Sequence, residues 1–240
     1  MSNSKAKKKK TAEEREIEIQ SAVLFGKHVS KDKAIILYVT AMLCGAMPML
    51  LGARLWDRIP EIVPTGLIGT NGEDDSLPRV MVAYGLPALM CLLNTICHGQ
   101  LWFNQKRMTL PNTPVRVLGR WGFPIISSLF CSGMILEAVG EELTLPFATP
   151  CVLGLLLVIL GAHMWDCPRE ARIALHFSFV ERSPGTWQAV HRFAAWAWMA
   201  VGLRGLAITM FTSTSTPLTA AAVLLALAAP VLYGRLFASR

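Results

Sequence analysis

AIILYVTAMLCGAMPMLLGARL, residues 34–55, carries one charge, Arg54, close to its end. About 20 apolar residues in helical form cross the roughly 30 Å hydrocarbon layer of a bilayer. Five more runs of that kind follow, near residues 80–103, 118–138, 147–165, 190–210 and 217–237. The third starts at Arg120 and carries Pro124, and the fifth is interrupted by Arg192 and Arg204. The composition agrees: 53% of residues are hydrophobic and only 16% are charged, too little charge to cover a soluble surface. The expected fold is therefore all-α, a polytopic integral membrane protein with six transmembrane helices.

The +7 net charge is not spread as a nucleic-acid-reading surface requires. Nine of the 23 Lys and Arg lie in residues 1–33, and most others flank the apolar runs. Nineteen fall on one side if the runs alternate across a membrane, against Arg54, Arg58 and Arg79 on the other. The opposite connections are acidic (Asp57, Glu61, Glu73, Asp74, Asp75, then Glu141 and Glu142) or uncharged, as in TSTSTP. Basic connections stay on the cytoplasmic side, so both termini are expected inside, with no nucleic acid as partner. Trp56, Trp102, Trp121 and Trp165 sit near run ends, where an indole favours the headgroup boundary. The first run is too long for a signal-peptide core and lacks a small-residue exit, so no cleavable signal is expected.

Three regions follow: residues 1–33, a basic tail; 34–103, two spans around an acidic outer loop; and 104–240, four spans with a cytoplasmic loop at 166–189. In the tail, Thr11 and Glu14 fit a capping box for an interfacial helix attracted to anionic lipid, or the tail is simply solvated. In the outer loop, Pro60 and Pro64 impose extended backbone, Asn71-Gly72 marks a turn, and Glu73, Asp74 and Asp75 follow. Two readings stand: a receiver for a cationic ligand, or a solvated turn. The inner loop has an apolar stretch at 173–180, too short to span and expected to be interfacial or re-entrant. Ser183 and Pro184 are a favourable helix start that sets Trp187 and His191 on one face beside Arg192. That junction is either a conformational coupler or an interfacial anchor.

Polar residues inside the runs are few. Asn94 and His98 are one turn apart, as are His163 and Cys167, which fits interhelical hydrogen bonding better than metal ligation. Arg204 is expected either to snorkel or to pair, with Glu137 the first candidate partner. The six cysteines lack CxxC spacing and read as small apolar packing residues. Ala220, Ala221, Ala222, Ala226 and Ala229 give the last run a small-residue face for the bundle interior or a dimer. No GxSxG, P-loop, HExxH or Gly-rich dinucleotide turn occurs, so no enzymatic activity, metal or cofactor is expected.

TWQAVHRFAAW, residues 186–196, resembles the W-x-x-x-H-R-F signature of the SdpI-type family of bacterial membrane proteins. In the preceding stretch the family's Arg, Pro and Trp are replaced by His176, Ser178 and Phe179. The outer loop is similar to that family's N-terminal domain at Ile59-Pro60, Val63-Pro64, Thr65 and Asn71-Gly72, with Gly66 in place of its His. The resemblance spans most of residues 34–210. It implies a bacterial plasma-membrane protein of the immunity or signal-sensing kind, with a secreted peptide as outside partner and a regulator as inside partner. A small transporter, or an accessory subunit of one, is the competing expectation.

Overall fold

The computed structural model describes residues 29–68, 74–106, 113–212 and 216–236. Six helices are long and apolar enough to cross a membrane: α1 (Lys31–Arg54), α2 (Met81–Gln105), α3 (Pro114–Ala138), α4 (Leu145–Met164), α5 (Pro184–Phe211) and α6 (Pro217–Leu236). The chain is an all-α multi-pass membrane protein. The expected interfacial helix around Thr11 lies outside the described residues. Between α1 and α2 the connection forms an antiparallel hairpin, β1 (Ile62–Ile68) and β2 (Asp74–Pro78), an addition to the six-helix reading. Pro60 and Pro64 supply the extended backbone that admits it.

The helices alternate in direction. One end of the bundle carries the hairpin and the α3–α4 connection, joined by an ion pair of 2.8 Å from Arg58 to Glu141. The opposite end gathers the start of α1, the end of α2 and the α4–α5 connection. There Gln105 Nε2 donates to the Val29 carbonyl at 2.7 Å, and Lys33 Nζ donates to the His163 carbonyl at 2.9 Å. Lys33 is only 2% exposed, and its ammonium meets one of the last carbonyls of α4, the negative pole of that helix. Helix α1 is central, packing against α2, α3, α4 and α5, while α6 rests mainly on α5. Outward stripes such as Ile35, Val39 and Leu43 on α1, and Leu218, Leu224, Leu225 and Leu232 on α6, are apolar and exposed, as lipid contact requires.

Helices α4 and α5 approach most closely. A Cβ on Gly202 would sit 2.6 Å from the Gly154 carbonyl oxygen, so neither backbone could come this near with a side chain there. Prolines 48, 124, 150 and 230 lie inside helices. Each lacks the N–H that would bond the carbonyl four residues earlier. Three of those carbonyls are met from a neighbouring helix. The Cys44 carbonyl accepts from Ser128 Oγ at 2.8 Å, that of Arg120 from His98 Nε2 at 3.3 Å, and that of Ala226 from Trp198 Nε1 at 2.7 Å. In lipid no water could serve instead, so these bonds favour the observed helix neighbours at each proline.

Two expectations are corrected here. Trp121 is not a boundary residue: it is fully buried, donating from Nε1 to His163 Nε2 at 3.3 Å. Its partner makes core burial of the indole N–H tolerable. Arg204 and Glu137 do not pair, because each points outward from its own helix and lines a different cavity. Trp56 does lie at the hairpin end, against Tyr84 and under the Arg79 guanidinium, 4.6 Å from its ring centroid. Of the alanines on α6, Ala226 is buried against Trp198, whereas Ala220 and Ala221 are exposed.

Candidate functional site

The α4–α5 connection holds the clearest constellation, the junction expected around Trp187, His191 and Arg192. Ser183 caps α5, its Oγ accepting from the Thr186 N–H at 3.0 Å with Pro184 next in line. The helix runs 28 residues, about 42 Å at 1.5 Å per residue, longer than a bilayer crossing needs. Trp187 and His191 lie near its start. Their rings stack with centroids 4.0 Å apart.

No helix forms over 173–180; the segment bends at Ile173 and Ala174 and turns from Ser178. Val180, Ala171 and Cys167 pack with Trp187 and Val190 into a small second core. Trp187 Nε1 donates to the Cys167 carbonyl at 2.7 Å. His191 Nδ1 donates to the Trp187 carbonyl at 2.8 Å, and its Nε2 accepts from the Leu175 N–H at 3.1 Å. One donor and one acceptor require the neutral ring, protonated on Nδ1.

His176 also lies against Trp187, ring centroids 5.3 Å apart, and is bonded differently. Its Nε2 meets the Ala171 carbonyl and its Nδ1 the Glu181 carboxylate, each at 2.8 Å. The carbonyl first, and then the carboxylate, favour the imidazolium and raise its pKa above the usual histidine value. The sequence comparison marked His176 only as a departure from a family pattern. A histidine five residues before a glutamate was the available signal for this pair. Burial meanwhile pushes the Cys167 thiol up to about 11, opposed by the charge of Lys33, as its packing in this small core entails.

Asp166 ties this junction to the central helix. It adopts φ 46°, a left-handed backbone that turns the chain sharply out of α4. Its carboxylate accepts from Ser30 Oγ at 2.8 Å and faces Arg192 at 3.5 Å. Ser30 is the N-cap of α1, so one carboxylate holds the starts of α1 and α5 together. Arg192 also lies 5.3 Å from the Trp165 ring centroid, and Trp165 meets Trp196 edge-on at 5.8 Å.

At the hairpin end, the side chains of Asp57, Pro60, Glu61, Pro64 and Asp75 are exposed. Thr65 Oγ1 donates to the Asp75 carbonyl at 2.9 Å across the strands, and the Asp75 carboxylate accepts from the Ser76 N–H at 3.0 Å. Asn71, Gly72 and Glu73 lie outside the described residues, and of Asp74 only the strand position is described. The hairpin thus brings Asp57, Glu61 and Asp75 to one end of the bundle.

Among the described residues no three His, Cys, Asp or Glu side chains converge as metal ligands, and all six cysteines are free thiols. Protein-family models, curated proteins and solved structures contain no match to this chain.

Proposed function

We propose that this chain is a bacterial plasma-membrane receptor or immunity protein that binds a secreted cationic or amphipathic peptide on its acidic hairpin and relays occupancy to a partner at the opposite end. Both termini lie in the cytoplasm in this reading, because the basic connections belong inside. It rests in part on the resemblance of TWQAVHRFAAW and the hairpin to the SdpI-type family. The observation that carries it is the shared carboxylate of Asp166. Helix α1 leaves the hairpin at Trp56, runs through the centre of the bundle and begins at Ser30, bonded to the acid that also faces Arg192. A peptide that shifts the hairpin end of α1 therefore acts on the Trp187 junction through one rigid element.

The transport reading has less support, since Arg204 and His98 line separate cavities and form no common path. To test the receptor reading, the chain is expressed in a strain killed by secreted cationic peptides and survival is measured. Protection, lost in the double variant Asp57→Asn, Glu61→Gln while membrane insertion persists, is the expected result. No protection against any such peptide would remove the immunity role.

A further inference from the structure

We infer that the groove between α1, α2 and α3 at the Lys33 end of the bundle is a binding site for an anionic phospholipid. The cavity holds about 380 Å³ and is lined by Lys31, Ile35, Tyr38, His98, Gly99 and Arg120. Arg120 is 8% exposed, yet it makes no ion pair with any described carboxylate. A guanidinium buried at the margin of a membrane without a counter-ion is costly, and an anion entering the groove removes that cost. Lys31 adds a second cation at the mouth. Asp166, the acid beside Lys33, is engaged with Ser30 and Arg192, and Asp32 in the first turn of α1 is exposed.

His98 fixes the geometry. Its Nε2–H is committed to the Arg120 carbonyl freed by Pro124, which holds α2 against the turn of α3 that presents the guanidinium. Tyr38 packs edge-on to His98 at 5.5 Å, closing the groove on the α1 side.

The remaining wall decides between a lipid and a free anion. Ile35 lines the groove, Val39 and Leu43 continue its stripe along α1, and these two are exposed, as are Leu92 and Ile96 on α2. A phosphate at Arg120 and Lys31 thus leaves an acyl chain lying in an apolar channel along the helices. Basic pockets between spans on the cytoplasmic side take anionic headgroups in this way. A free phosphate would gain nothing from that channel.

The test uses the purified full chain in detergent, with phosphatidylglycerol and phosphatidylcholine of matched acyl chains and retention read by native mass spectrometry. The expected result is at least a fivefold preference for phosphatidylglycerol, falling to near parity in Arg120→Gln and partly kept in Arg120→Lys. Gly99→Leu provides an arm that leaves every charge in place. A Cβ at Gly99 meets no atom within 4 Å, so the larger side chain fills the groove without opposing the fold. It is expected to abolish retention. Equal retention of the two lipids would overturn the proposal, as would retention unaffected by Gly99→Leu. Displacement by millimolar inorganic phosphate would assign the groove to a soluble anion instead. Loss of the preference on changing Lys7, Lys8, Lys9 and Lys10 to Gln would assign it to the basic tail.

Discussion

Trp198 donates from its indole nitrogen to the Ala226 carbonyl at 2.7 Å, the carbonyl that Pro230 leaves without a helical donor. Cys44 with Ser128, and Arg120 with His98, repeat the arrangement at Pro48 and Pro124. In three helices a proline frees a carbonyl, and each is met by a donor on the adjoining helix. In Trp198→Phe the ring persists and the bond is lost, leaving a buried carbonyl unsatisfied at about 1–3 kcal/mol. Pro230→Ala restores the helical N–H, so the Trp198→Phe cost should shrink in that background. A double-mutant cycle on unfolding in detergent reads this coupling, and full additivity would show that the bond is incidental.

The α4–α5 contact gives a steric contrast within one helix. Gly202→Val places a side chain against the Gly154 backbone and the Val158 side chain and should destabilise the bundle by about 1–3 kcal/mol or more. Gly205→Ala meets nothing within 4 Å and should be near neutral in thermal unfolding. Equal effects at the two positions would mean that α4 and α5 do not cross there.

His176 makes the α4–α5 junction sensitive to pH. Its folded-state pKa is raised, so the stability it contributes is fully present below the ordinary histidine value and is lost as pH rises through the raised value. Once corrected for the intrinsic rate, amide exchange over 171–182 should be several-fold slower near pH 5.5 than near pH 8.5. His176→Gln should flatten that difference. An unchanged profile would show that the Ala171 and Glu181 bonds do not hold the segment.

Labelling reads the direction of the spans. A cysteine introduced at Gly72, in a background where the six native cysteines are Ala or Ser, should react with an impermeant reagent added to intact cells. Labelling only after permeabilisation would reverse the direction of every span.

Much of this fold was legible in the sequence because lipid imposes a blunt requirement: some 20 apolar residues per crossing, read directly from 34–55 and its five successors. The Ser183–Pro184 helix start was equally plain, since capping is local. Partnerships between helices were not. Nothing along the chain ties Ser30 to Asp166, or Trp198 to Ala226, because both depend on which helices adjoin. Trp121 was misplaced for the same reason: position near a run end is local, while its burial against His163 is tertiary. Arg204 and Glu137 looked complementary by depth alone, but depth does not say which way a helix faces.

The central claim is that the two ends of the bundle communicate through α1 and Asp166. The most direct measurement is amide exchange over 171–182 in the reconstituted full chain, with and without a cationic peptide such as oligolysine on the hairpin side. The account predicts a several-fold change in exchange on peptide binding, abolished in Asp166→Asn although the peptide still binds. Saturating peptide with no change in that segment would contradict it.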